Sequence, residues 1–158
     1  MSVSFLAELE ALEGLRVEDL QLLDELFEQR SFGEGELLIE QGQRCEQLIL
    51  LLEGELQVAR TKVDRTVLAQ VGGCEWVGVV DAIDGRGATA SVLGCAGSSG
   101  LVLRRSELDR LLAAGHPTGA RLLRSWIRSL GQQLSRVNRG NEAMLKLAAR
   151  LAQPQGER

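Results

Sequence analysis

Between Leu48 and Leu52 the chain runs through five consecutive apolar residues, Leu-Ile-Leu-Leu-Leu, and one residue later it reaches Gly54. A surface helix buries one stripe and a half-exposed strand buries one face, so an unbroken apolar run has to be covered on both sides. Five residues closed off by glycine suit an interior strand better than a helix, because strands are short and helices are not. The same punctuation continues along the chain. Short β-rich runs at Leu37-Leu38-Ile39, Leu56-Gln57-Val58, Thr66-Val67-Leu68, Trp76-Val77, Ala88 to Leu93 and Leu101-Val102-Leu103 alternate with Gly33-Glu34-Gly35, Gln41-Gly42, Gly54 and Gly72-Gly73. Many short strands at regular intervals, separated by turn signals, predict an all-β sandwich or barrel of the jelly-roll (double-stranded β-helix) type.

Helical patterns flank this β region, giving a mainly β fold with helices at both ends. Phe5, Leu6, Leu9 and Leu12 fall at helical spacing, and Leu20, Leu22, Leu23, Leu26 and Phe27 gather near one face of a second helix. Gly14-Leu15-Arg16 separates the two, and Glu18 and Asp19 occupy the first turn of the second helix, where acidic residues suit the dipole. Beyond the strands, Ser106 is the expected N-cap of a short helix carrying Leu108, Leu111 and Leu112, with Glu107 and Asp109 in its first turn. Gly115-His116-Pro117 breaks that helix, and Pro117 is well placed to open the next.

The next helix is long. Leu123, Leu130, Val137, Met144 and Leu151 repeat every seven residues, and Ile127, Leu134, Asn141 and Ala148 interleave with them. Eight of these nine positions are apolar, which makes a coiled-coil seam, with Asn141 at an a position, where asparagine favours a two-stranded parallel register. A homodimer through this helix is expected. Packing of the helix on its own domain is the alternative, and Leu122, Trp126, Leu145 and Leu147 lie off the seam where they could serve it. The domain expectation is a β-roll with N-terminal helices over residues 1–115, the long helix over 116–152 and a disordered tail over 153–158.

Charge and composition narrow the function classes. The chain has 158 residues and a net charge of -4, yet from Thr118 onward eight basic residues face two acidic ones. No Tyr or Phe accompanies those basic residues to stack on bases, so a solvated basic helix is preferred to a nucleic-acid surface. No run approaches the roughly 18 apolar residues of a membrane span. The N-terminus Met1-Ser2-Val3-Ser4 lacks the layout of a signal peptide, and a cytoplasmic protein is expected. Cys45, Cys74 and Cys95 form no CxxC pair and read as buried free thiols. The single histidine, His116, cannot supply the two or three imidazoles of a jelly-roll metal enzyme, and it has no evident nucleophile to activate. No P-loop is present either, so catalysis is not expected.

One stretch carries a more specific signal: Glu75-Trp76-Val77-Gly78-Val79-Val80, followed by Arg86-Gly87-Ala88-Thr89. Together with the ordered Gly35-Glu36, Gln41-Gly42 and Gly54-Glu55, it resembles the cyclic-nucleotide-binding domain family over roughly residues 5 to 140. The resemblance implies a phosphate-binding cassette in which Arg86 pairs with a cyclic phosphate and backbone donors near Gly78, Gly87, Ala88 and Thr89 complete an anion site. A guanidinium fork suits that task, and small residues let the backbone approach closely. The competing reading is a surface Arg86 paired with Asp84 in the turn. Family members dimerising through the long helix touch the base from it, which points to Asn138; a plain helix-surface asparagine is the alternative.

Val79 departs from the pattern. It stands where the family carries the glutamate that binds the ribose hydroxyl, and Arg86 follows only 7 positions later. A buried hydroxyl without its acceptor costs on the order of 1–3 kcal/mol, so weak or lost cAMP and cGMP binding is expected. Catabolite-activator-like regulators continue into a helix-turn-helix, whereas this sequence stops at Arg158. The expectation is therefore a stand-alone regulatory or sensor module with no DNA binding, unless the sequence is a fragment of a longer regulator. Its ligand would be a cyclic nucleotide or another phosphate-bearing molecule, and the alternative is a protein-interaction scaffold that keeps the fold without a ligand.

Overall fold

The computed structural model describes the backbone of residues 2–60 and 66–151, and the side chains of these up to Gly140 except Gln133, Arg136 and Val137. The expected tail at 153–158 lies outside the described residues. The chain divides into two compact units, residues 1–125 and 126–158.

The first unit opens with helix α1 (Val3–Ala7), a 3-10 turn at Glu10–Leu12 and helix α2 (Val17–Leu26). The expected N-terminal helix pair is present, but its first member is split into a five-residue helix and the 3-10 turn. Leu6, Leu12, Leu20 and Leu23 are the apolar positions it buries. Among the described residues eight strands follow: β1 (Glu28–Phe32), β2 (Leu37–Ile39), β3 (Gln47–Glu53), β4 (Glu55–Arg60), β5 (Thr66–Gly72), β6 (Trp76–Val77), β7 (Ser91–Gly94) and β8 (Ser98–Arg104). Helix α3 (Val79–Asp84) lies between β6 and β7, and α4 (Arg105–Ala113) follows β8. The strands form two antiparallel four-stranded sheets, ordered β1-β8-β3-β6 and β2-β7-β4-β5.

Strand β3 is the centre of the core. Leu48, Ile49, Leu50 and Leu51 are all fully buried, and since alternate residues point to opposite faces, both faces of the strand are covered. Gly100 on β8 permits that packing: a Cβ there would sit 2.6 Å from the Leu50 carbonyl oxygen. Strand β1 has only one buried side chain, Phe32, and is held by backbone pairing with β8 from Glu28↔Val102 to Phe32↔Ser98. The strand expected from Ala88 begins only at Ser91, because the N–H and C=O of Ala88 bond to the loop at 42–43 and the Thr89 N–H to Asp81 instead.

Helix α4 starts at Arg105, with Arg104 at the N-cap and no side-chain cap. Ser106 is therefore inside the first turn, not at the cap, and Asp109 lies past that turn, ion-paired to Arg105 at i,i+4. Helix α5 (Pro117–Leu151) begins at the proline as expected and continues into the second unit, where Ile127 and Leu134 are exposed. The side chains of the seam positions Val137, Asn141, Met144, Ala148 and Leu151 lie outside the described residues. No helix among the described residues is long and apolar enough to cross a membrane.

Candidate functional site

Strand β6 pairs Trp76 with Leu50 and Val77 with Ile49, and so delivers the chain to Gly78 at a fixed point. Gly78 adopts φ +85°, in the left-handed region. A Cβ there would fall 2.9 Å from Ile39 Cδ1, 3.0 Å from the Gln47 carbonyl oxygen and 3.1 Å from Cys45 Sγ. Glycine is thus required twice over, by dihedral and by space. From this pivot the chain enters α3, and Gly85, again left-handed, closes the helix.

The remaining residues of the segment are laced to a second loop. Gly42 N–H donates to the Ala88 carbonyl (2.7 Å), and Ala88 N–H donates to the Gln43 carbonyl (2.8 Å). Gly87 has φ +102°, and a Cβ there would lie 2.9 Å from the Gly42 oxygen, so the approach of the two loops depends on that glycine. Ser91 Oγ accepts from Gln41 N–H at 3.0 Å, extending the lacing into β7.

Within this frame Arg86 and the N–H groups of Ala88 and Thr89 have protein partners. Arg86 Nε donates to both carboxylate oxygens of Asp84 at 2.9 and 2.8 Å, while its side chain stays 85% exposed. Those hydrogen bonds, followed by the charge of Asp84, raise the Arg86 pKa further. Thr89 N–H donates to Asp81 Oδ1 at 3.2 Å, and the Ala88 donor is already spent on Gln43. Val79, at the start of α3, is only 5% exposed and packs inward. The segment thus brings Gly78, Val79, Arg86, Gly87, Ala88 and Thr89 together as one turn-helix-turn, with an apolar plug at one end and two acidic partners at the other. Asn138 lies exposed on α5 in the second unit.

Three further groups matter. Cys45 is buried, its Sγ donating to the carbonyls of Gln47 (3.1 Å) and Gly78 (3.6 Å), and burial pushes its pKa up, which keeps it a thiol. Cys74 and Cys95 are only partly buried, unlike the expectation for all three. His116 Nδ1 accepts from Thr118 N–H at 3.3 Å, a capping role at the start of α5. Among the described residues no group of His, Cys, Asp and Glu could hold a metal.

The sequence reading placed Asp19 only in a first turn; its surroundings add much more. Its carboxylate is fully buried and accepts from Arg16 N–H (2.8 Å), Thr118 Oγ1 (2.6 Å) and Arg121 Nη1 (2.7 and 3.0 Å). Burial pulls its pKa up, and the bonds from Thr118, the Arg16 backbone and Arg121 outweigh that effect, leaving it below the ordinary 3.8.

Comparison with known proteins agrees with this architecture. Residues 29–114, a little over half the chain, match the family model for the cyclic nucleotide-binding domain. No curated protein sequence matches. A solved structure of a candidate cyclic nucleotide-binding protein from Geobacter metallireducens GS-15 superposes with a TM-score of 0.74 at 19% identity, covering 85% of this chain and 98% of that one. A cyclic nucleotide-binding domain from Methylobacillus flagellatus KT gives 0.72 at 23% identity, covering 84% and 79%. The regulatory subunit of a cAMP-independent protein kinase A from Trypanosoma brucei gives 0.70 at 18% identity, covering 88% of this chain and 48% of that one. At these identities the likenesses speak to the fold.

Proposed function

This chain belongs to the cyclic nucleotide-binding domain family, and from that premise we propose that it is a non-enzymatic regulatory or sensor module whose cassette binds cAMP and cGMP weakly or not at all. The observation that carries this reading is the internal satisfaction of the cassette. Asp84 neutralises Arg86, Asp81 takes the Thr89 donor, Gln43 takes the Ala88 donor, and Val79 offers no acceptor for a ribose hydroxyl. A cyclic phosphate would compete with Asp84 for the charge of Arg86 and would have to displace Asp81 from the Thr89 N–H, while its ribose hydroxyl went unpaired. The family contains a precedent in name, since one structural neighbour is the regulatory subunit of a cAMP-independent kinase.

The module works as a homodimer through α5. Ile127 and Leu134 support this, being 68% and 61% exposed on the heptad seam of the second unit. A thermal-shift panel of cyclic mononucleotides, cyclic dinucleotides and plain nucleotides tests the ligand reading. A ligand at 100 times its dissociation constant stabilises by about 2.7 kcal/mol, so a true ligand is plainly visible. The expected outcome is no shift from cAMP or cGMP at concentrations that saturate ordinary binders.

The Asp84–Arg86 pair favours a second reading, in which the domain keeps the fold as a protein-interaction scaffold and responds to no member of the panel. A phosphate-bearing ligand that raises the melting temperature and loses its effect in Arg86→Ala would select the sensor instead.

A further inference from the structure

Among the described ion-paired arginines, Arg105 is the most deeply placed, its side chain 12% exposed, and it has one of the poorest partners. Arg30 meets Glu36 at 2.7 Å, and Arg121 meets Asp19 at 2.7 and 3.0 Å. Arg105 has only Asp109, whose Oδ2 lies 3.4 Å from Nε and whose side chain is half exposed. Its Nη1 is buried and has no hydrogen-bond partner. This inverts the usual order. A withdrawn guanidinium ordinarily holds its acceptors most firmly, because a buried donor left unmatched costs more than an exposed one.

The position of the side chain gives the unmatched edge a meaning. Arg105 opens α4, and its backbone N–H donates to the Glu46 carbonyl at 2.9 Å. Its guanidinium reaches the end of α3, where a Cβ at Gly85 would lie 3.6 Å from Nη2. Gly85 is exposed and puts no side chain over that nitrogen. A cation set against the negative end of α3 accounts for the charge. It does not account for an N–H without an acceptor. Nη1 and Nη2 form the end-on edge of the guanidinium, a planar fork that fits two oxygens on one centre. Arg86 differs, since its Nε already holds both oxygens of Asp84.

We propose that Arg105 anchors a small-oxyanion site between the end of α3 and the start of α4, which takes a phosphate group on the Nη1–Nη2 edge beside Gly85. The site is separate from the Arg86 turn and needs neither a ribose nor a base.

The test titrates sodium phosphate into the full 15N-labelled chain in chloride buffer at constant ionic strength. The Gly85 amide and the Arg105 Nε–H signals should shift together and saturate. Arg105→Lys keeps the charge but loses the fork, and should weaken the response about tenfold or more. Gly85→Ala sets a methyl against Nη2 and should weaken it as well, which carries the test if Arg105→Lys does not fold. Arg86→Ala should leave it unchanged. Glycerol 3-phosphate run in parallel separates a site for the end of a phosphomonoester, which shifts the same signals, from one for the free ion alone; either supports the assignment. Signals that do not saturate with phosphate would overturn it. So would a response that persists unweakened in Arg105→Lys or, should that variant not fold, in Gly85→Ala, or one that is lost in Arg86→Ala. No cyclic nucleotide is present, so the outcome with cAMP and cGMP bears on the proposed function alone.

Discussion

Alanine at Gly78 and alanine at Gly85 should differ in cost, and the difference measures how closely the cassette is packed. Both glycines are left-handed, at φ +85° and +72°. An L-residue in that region costs about 1–2 kcal/mol, and the lower entropy of the unfolded chain returns about 0.4–1 kcal/mol. Gly85→Ala carries only this balance, since its new Cβ would meet nothing nearer than Arg105 Nη2 at 3.6 Å. Gly78→Ala adds contacts of 2.9 to 3.1 Å with Ile39, Gln47 and Cys45. Ile39 Cδ1 can rotate away, but the Gln47 oxygen is backbone of β3 and cannot, so an overpacking cost of about 1–3 kcal/mol applies. The expected loss is about 0–1.5 kcal/mol for Gly85→Ala and about 1–4.5 kcal/mol for Gly78→Ala. Urea unfolding followed by far-ultraviolet circular dichroism reads both, provided the slope is unchanged. Equal midpoints for the two variants would refute the close approach at Gly78.

Other expectations follow from the charged groups and the seam. Asp19 has a folded pKa below 3.8, so its stabilising contribution is complete above the unfolded value and is lost as pH falls through the folded one. Asp19→Asn should therefore flatten the acid limb of stability below about pH 4 and lower stability at neutral pH by about 1–3 kcal/mol, both read by denaturation at stepped pH. Arg86→Ala should leave the urea midpoint within the ordinary scatter of an exposed surface site, since its pair with Asp84 is in solvent; a large loss would mean that Arg86 holds the fold. Light scattering should give twice the chain mass for the unmodified protein and the single mass for Leu134→Asp, because a charge buried in a seam is costly.

The β domain was legible where side chains announce it. Leu48 to Leu52 read as doubly buried, which holds for the first four while Leu52 is half-buried near the strand's end, and glycine marked the turn at Gly54 and the pivot at Gly78. Strand β1 left no such mark, for Glu28-Gln29-Arg30-Ser31-Phe32 has one apolar residue and owes its strand to hydrogen bonds donated and accepted by β8, about seventy residues away. The start of β7 was misplaced for a related reason: Ala88 is small and apolar enough for a strand, but its N–H and C=O are claimed by Gln43 and Gly42. At the site, the Asp84–Arg86 alternative was readable because the two are neighbours in sequence. The Asp19 cluster was not, since its partners Thr118 and Arg121 lie 99 and 102 residues on and nothing in a first-turn aspartate predicts them.

Titration calorimetry with cAMP and cGMP tests the central claim most directly. Losing the ribose acceptor and having to displace Asp81 from the Thr89 N–H amount to two hydrogen-bond penalties of about 1–3 kcal/mol each. At about 1.4 kcal/mol per tenfold, a ligand that an intact cassette would hold at about 1 μM is expected here no tighter than about 30 μM. Heats that stay linear or give a dissociation constant weaker than this bear the account out. A saturable isotherm with a low-micromolar or tighter constant would contradict it.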